Sequence, residues 1–226
     1  MDKQSIILIR TMRFVTSNQL LVQLILQKVG FVMHIVGHRG AGGLAPENSL
    51  EAIRKALKHK VDMIEIDARV RAGVVVLSHD AARNNITYCP LKQALKEISG
   101  RIPVNIEIKE KRVIKYLPKI LENYEGEVLF SSFSYNTLKE LQKVLPEAKI
   151  AVLEKWSSLR ILAFAELLGT KRLHIKETWI WKGLVSSLKR QGYSVYCYTV
   201  NTPQRAEELK EWGVDGIFTD FPNRFA

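Results

Sequence analysis

"VNIEIK", residues 104–109, is the stretch that decides the fold. Val104, Ile106 and Ile108 alternate with Asn105, Glu107 and Lys109. Side chains of a strand point alternately to its two faces, so one face is apolar and the other carries an amide, a carboxylate and an ammonium. "MIEID", residues 63–67, repeats the pattern: Ile64 and Ile66 alternate with Glu65 and Asp67. Such strands fit a closed barrel, with the apolar set packed under surrounding helices and the polar set pointing inward near the mouth.

Outward from these two runs, the chain from Met33 onward alternates short apolar segments with amphipathic ones. The apolar runs are HIVG (34–37), MIEID (63–67), VNIEIK (104–109), VLFSSF (128–133), KIAVLE (149–154), RLHIKE (172–177), SVYCYTV (194–200) and DGIFTD (215–220). The spacers read as helices over roughly 48–59, 90–99, 111–123, 135–145, 158–168, 180–191 and 203–212. Ser134 precedes one helix, and Thr202 with Pro203 makes an N-cap followed by proline at the first helical position. Gly192 and Gly213 sit where helices should stop. Strands separated by helices imply a parallel sheet, and eight of them close into a small (β/α)8 TIM barrel. An open doubly wound sheet is the structural alternative. The run "VVVLSH" is left over, and is expected to form a hairpin arm rising from the second strand at the mouth.

The 226 residues are 46% hydrophobic, enough for a substantial core. The two cysteines, Cys89 and Cys197, are too few for a disulfide framework or a cysteine zinc site, and read as reduced thiols in a cytoplasmic protein. The formal charge is +11. A basic surface can attract nucleic acid, anionic lipid or a phosphorylated substrate. There is no run of five basic residues and no nucleic-acid motif, so the expectation is no nucleic-acid partner and at most weak contact with a membrane surface.

Residues 1–32 contain "SNQLLVQLILQKVGF", which is shorter than the roughly 18–20 apolar residues a span needs. Gln19, Gln23 and Gln27 would form one polar helical stripe, and no small-x-small cleavage site follows. The segment reads as an amphipathic surface or packing helix, or as residues foreign to the native protein. Met33 abuts the first strand as a natural start, so residues 33–226 are expected to be the working domain.

Glu65 and Asp67 fall on one strand face, about 6.6 Å apart along the chain. Buried together they would repel and raise each other's pKa. A hard divalent cation relieves that, because it prefers carboxylate oxygens, and Glu107 at the same depth on the next strand is the third candidate ligand. The alternative is a salt-bridge cluster, Glu65 with Arg39 and Glu107 with Lys109. In "GHRGAGGLAPENS" (37–49), His38 and Arg39 end the first strand. Arg39 can hold a phosphate through two parallel hydrogen bonds, and His38 can exchange a proton near neutral pH.

Together "HRG…PENS", "EID", "LSHD", "IEIK", "SSF" and "YTVN…GVDGIFTDFP" resemble, in order and from Val36 to Pro222, the glycerophosphodiester phosphodiesterase family of phospholipase-C-like barrels. The resemblance implies a (β/α)8 barrel, one divalent cation (Mg²⁺ or Ca²⁺, with Mn²⁺ a further candidate) and hydrolysis of glycerophosphodiesters to an alcohol and glycerol 3-phosphate. It implies that His38 and His79 are paired acid–base histidines, that Glu65, Asp67 and Glu107 are metal ligands, and that Arg39 and Lys109 hold the phosphate. Tyr198 stands where the family usually has Trp, and is expected to form a pocket wall. A second departure is the short segment "AARNNITYCP" after Asp80, which should leave the mouth open on that side and admit lysophospholipids, cleaved in lysophospholipase D fashion. A non-catalytic binding module on the same barrel is the other reading. The two histidines argue against it, since a binder needs neither.

For the arm itself, "RAG" (71–73) suits a three-residue loop with Gly73 left-handed. Val70 would then face Val74, and Glu65 would lie opposite His79. A two-residue loop would instead place His79 opposite Ile66 and point it away from the metal, where it could not serve catalysis.

Overall fold

Eight parallel strands close on themselves. The computed structural model describes residues 32–81, 87–155 and 157–225. In it, β1 (His34–Gly37), β2 (Met63–Arg71), β4 (Val104–Ile108), β5 (Val128–Ser132), β6 (Lys149–Glu154), β7 (Arg172–Lys176), β8 (Ser194–Tyr198) and β9 (Gly216–Thr219) pair in that cyclic order. β1 bonds to both β2 and β9, which excludes an open sheet. The helices α1 (Leu50–Lys58), α2 (Leu91–Ile98), α3 (Leu117–Leu121), α4 (Tyr135–Val144), α5 (Ser158–Leu167), α6 (Lys182–Arg190) and α7 (Pro203–Trp212) lie between strands, the arrangement of a (β/α)8 barrel. The spacer at 111–123 is not one helix. Lys111–Tyr116 is a 3-10 turn, and α3 begins where Pro118, which has no N–H to give, is tolerated. Among the described residues, no helix is long and apolar enough to cross a membrane.

The alternation read from the sequence sorts the residues as expected. Val104, Ile106 and Ile108 are fully buried in one apolar cluster with Leu91, Leu95 and Ile98 of α2. The Ser49 hydroxyl oxygen accepts the orphan N–H of Ala52 at the start of α1, and that of Ser134 accepts the N–H of Thr137 at the start of α4. Inside the barrel, His174 packs against Phe218 and Tyr196, ring centroids 4.8 and 5.7 Å away. Tyr196 passes so close to β9 that a Cβ at Gly216 would lie 2.3 Å from its ring. Burial, with Arg172 adding to it, pushes the His174 pKa down to about 3, so this imidazole is neutral and serves as an aromatic filler.

The leftover run forms β3 (Val74–Leu77), antiparallel to β2 and outside the ring of eight. Its register corrects the expectation. Arg71 faces Val74 and Ala68 faces Leu77, so the loop has two residues, Ala72 and Gly73. Both are left-handed, with φ of 45° and 80°, as a type I′ turn requires. The sequence reading reserved positive φ for glycine alone; here the alanine takes it too, because that turn matches the twist of the flanking strands. The paired strand ends at Leu77, and the Ser78 N–H on the Asp67 carbonyl, 3.0 Å away, carries the same register one residue further. The register sets the arm so that His79 follows on opposite Ile66 and not Glu65, the case expected to turn its ring away from the metal side.

The expectations for the N-terminal segment lie outside the described residues up to residue 31, and the uncovered mouth depends in part on residues 82–86, which also lie outside. The barrel unit begins at Met33. A chain starting at Met33 is predicted to fold to the same circular-dichroism spectrum with a single cooperative melting transition. Insolubility, or a melting temperature lower by more than about 10 °C, would show that the upstream residues belong to the fold.

Candidate active site

Parallel pairing of β2 with β4 sets Asp67 directly beside Glu107 and Glu65 beside Asn105. Glu65, Asp67 and Glu107 are 2%, 1% and 8% exposed, and each offers a carboxylate oxygen within 4.8 Å of the others. Burial, reinforced by the charges of Asp67 and Glu107, holds the Glu65 pKa well above the usual carboxylate range. Burial and Asp67 likewise raise Glu107, although Lys109 works the other way.

The loop after β1 is folded around these acids. Arg39 is left-handed, with φ of 52°, and its backbone N–H donates to Glu65 Oε2 at 2.7 Å. Gly40 then donates to the Glu65 carbonyl at 2.9 Å. At φ 83° it runs so close to α1 that a Cβ would sit 2.7 Å from the Ala52 backbone, which leaves room only for glycine. Asn48 clamps Asp67 from two sides: its amide donates to Oδ2 at 2.9 Å and its carbonyl accepts the Asp67 N–H at 3.0 Å. The next residue, Ser49, caps α1, so one short stretch both starts the helix and holds the carboxylate.

Two cations stand beside the acids. Lys109 donates to Glu107 at 2.6 Å and lies 3.4 Å from Asp67. Burial opposes its charge, but these carboxylates more than compensate and raise its pKa. The Arg39 guanidinium donates to Glu47 at 2.6 Å and lies 3.5 Å from Asp67. Of the two salt bridges weighed from the sequence, Glu107–Lys109 is present. The Arg39 side chain goes to Asp67 and Glu47, and gives Glu65 only a backbone N–H. Two cations, one of them shared with Glu47, do not balance three acids, and Glu65 Oε1 is buried with no hydrogen-bond partner. A buried carboxylate oxygen left without a partner, in a set of three acids, suits a hard divalent cation.

His38 Nδ1 lies 2.7 Å from Asp220 Oδ1, and Asn201 donates to Asp220 Oδ2 at 2.7 Å. The Asp220 N–H in turn donates to Asn201 Oδ1 at 2.9 Å. Burial would raise the Asp220 pKa; the hydrogen bonds from His38 and Asn201 outweigh it and hold it below the usual range. With Nδ1 engaged, His38 turns Nε2 toward the acids, 4.0 Å from Glu65 Oε2. His79 stands at the end of the arm. Its carbonyl is held by two N–H groups of Arg69 at 2.9 and 3.1 Å, and its ring nitrogen Nδ1 lies 3.0 Å from Asp80. Tyr198 donates its hydroxyl to the Glu154 carbonyl at 2.9 Å, and its ring meets Phe133 edge-on at 6.0 Å.

Asn48, Asn201 and Asp220 received no role from the sequence. All three lie inside quoted motifs, in "PENS", "YTVN" and "FTDFP". What was missing was the geometry: the closure of β9 against β1 carries Asp220 to a histidine 182 positions away.

A family model described as the glycerophosphoryl diester phosphodiesterase family matches residues 38–99 and 95–224. A Bacillus altitudinis glycerophosphodiester phosphodiesterase is 28% identical over 84% of this chain and 95% of its own. A mouse lysophospholipase D is 22% identical over 88% of this chain and 86% of its own. The structure of an Oleispira antarctica phosphodiesterase in complex with the product sn-glycerol-3-phosphate superposes with a TM-score of 0.79 at 25% identity, over 86% of this chain and 95% of that one. The barrel, the acid cluster at its mouth and the span of the family match agree: the chain belongs to the glycerophosphoryl diester phosphodiesterase family.

Proposed function

We propose that this barrel hydrolyses glycerophosphodiesters to an alcohol and glycerol 3-phosphate, with a divalent cation held by Glu65, Asp67 and Glu107 and with His38 and His79 moving the protons. The observation that carries the reading is the convergence of three buried carboxylates, one oxygen of Glu65 without a partner, beside His38, Arg39 and Lys109. Mg²⁺ or Ca²⁺ would supply positive charge that polarises the phosphate oxygens and orients the nucleophile. Lys109 and Arg39, then relieved of neutralising the acids, would face the charge gathering on the phosphate in the transition state. Asp220 fixes the His38 ring, so that Nε2 is the atom presented to the substrate. One histidine takes the proton from the attacking oxygen of water or of the adjacent glycerol hydroxyl as its bond to phosphorus forms. The other gives a proton to the alkoxide as the bond from phosphorus to the leaving oxygen breaks. For His79, the support is its place in "LSHD" at the end of the arm; the two-residue loop of the arm counts against it.

Glu65→Gln and Asp67→Asn are each predicted to lower kcat/KM for glycerophosphocholine by about 10²-fold or more, the scale of removing one electrostatic group from a site. Each should also weaken Mg²⁺ or Ca²⁺ binding in calorimetry. EDTA should abolish turnover reversibly, and full activity after exhaustive chelation would refute metal dependence. His79→Ala should cut turnover by roughly 10²-fold, the usual contribution of a general acid or base, with cation affinity retained. A His79→Ala protein turning over at the unaltered rate would remove His79 from the mechanism.

A further inference from the structure

The ring of Phe133, just after β5, is 37% exposed and joins the acid cluster to the far side of the mouth. Two ammoniums lie over it: Lys109 at 5.8 Å from the ring centroid, and Lys155, from the loop after β6, at 5.7 Å. Lys109 also donates to Glu107, so Lys155 stands one ring away from the proposed phosphate holder. Tyr198 meets the same ring edge-on at 6.0 Å. In register with Tyr198 is Lys176, the last residue of β7. Lys176 shares the strand face of His174, whose ring packs inside the barrel against Phe218 and Tyr196, so this lysine stands at the inner rim of the mouth.

Lys155 and Lys176 are both exposed. The acids next to them in the chain are engaged with arginines. Glu154 is 3% exposed and accepts from the Arg160 guanidinium, one bond at 2.7 Å, and Glu177 accepts from Arg205 at 3.0 Å. Lys176 makes no ion pair with a carboxylate among the described residues. An aromatic wall alone would attract a quaternary ammonium. Here the protein's own ammoniums already lie over the ring, so a cationic head group meets like charge and an anionic one meets two lysines.

We infer that this side of the mouth selects a glycerophosphodiester whose alcohol half carries a negative charge of its own, a second phosphate a few bonds from the first, with Lys155 and Lys176 as its holders. The inference rests on the phosphodiesterase reading and names the class of alcohol released. With the scissile phosphate at Lys109 and Lys155 over the same ring, a short spacer such as a three-carbon alcohol bridges the two anions.

The test compares three substrates at low ionic strength: glycerophosphocholine, glycerophosphoglycerol, and glycerophosphoglycerol bearing a phosphate on one terminal hydroxyl. The phosphorylated diester is expected to have a KM about ten-fold below that of glycerophosphoglycerol, each lysine contributing about three-fold, the scale of an exposed ion pair. Glycerophosphocholine should have the highest KM, and salt at about 0.5 M should erase most of the difference. Lys155→Glu combined with Lys176→Glu, at positions exposed enough to tolerate either charge, should reverse the order. KM values independent of the charge on the alcohol, or an order unchanged in the doubly substituted protein, overturn the assignment. Independently of turnover, calorimetry should show glycerol 1,3-bisphosphate binding about ten-fold tighter than glycerol 3-phosphate, again about three-fold for each lysine, and the two substitutions should remove that margin. Equal binding of the two phosphates by the unaltered protein also overturns the assignment. The margin without hydrolysis of any diester overturns the phosphodiesterase reading and leaves the two lysines as anion holders.

Discussion

Repulsion between buried carboxylates is the constraint around which the mouth of this barrel is organised. Asp67 and Glu107 are neighbours across a parallel ladder, and Glu65 sits on the same strand face as Asp67. Burial first, and then the like charges beside them, favour the protonated form, and both glutamates are shifted that way. The surrounding structure answers that repulsion residue by residue. A left-handed turn aims the Arg39 N–H at Glu65, a glycine lets the turn lie against α1, Asn48 brackets Asp67, and Lys109 reaches back from the end of β4. Each element would be odd alone; together they hold three acids in place.

Closure of the barrel does the second half of the work. β9 hydrogen-bonds along β1 from His34 to Gly37, and the residue beyond it, Asp220, reaches the His38 ring. Asn201, after β8, completes the chain of hydrogen bonds. The His38 ring, proposed above to transfer protons, is therefore oriented at the same seam that makes the sheet a cylinder.

Much of this was legible in the sequence because period-two alternation is a strong signal in short strands. Glu65, Asp67 and Glu107 were assigned to the barrel interior from parity alone, and all three face one another. The hairpin was less legible. One residue of loop length reverses every facing pair, and the choice between two and three residues turned on whether Ala72 would accept a positive φ, a matter of about 1–2 kcal/mol. Asn48, Asn201 and Asp220 were invisible as partners because a hydrogen bond between distant positions leaves no local pattern. The segment at 111–123 split because Pro118 set a boundary that hydrophobic spacing does not register.

The hold on Glu65 has an evolutionary corollary. The group that fixes this carboxylate belongs to the main chain at position 39, while the side chain at the same position faces Asp67 and Glu47. Anchoring Glu65 and pairing with Asp67 and Glu47 are thus assigned to different atoms of one residue. Exchange of the side chain would alter the pairing with Asp67 and Glu47 and leave the anchor, provided the newcomer tolerates a left-handed backbone, as glycine and asparagine do. The site is modular at that point: the charge beside Asp67 can drift without dismantling the acid cluster.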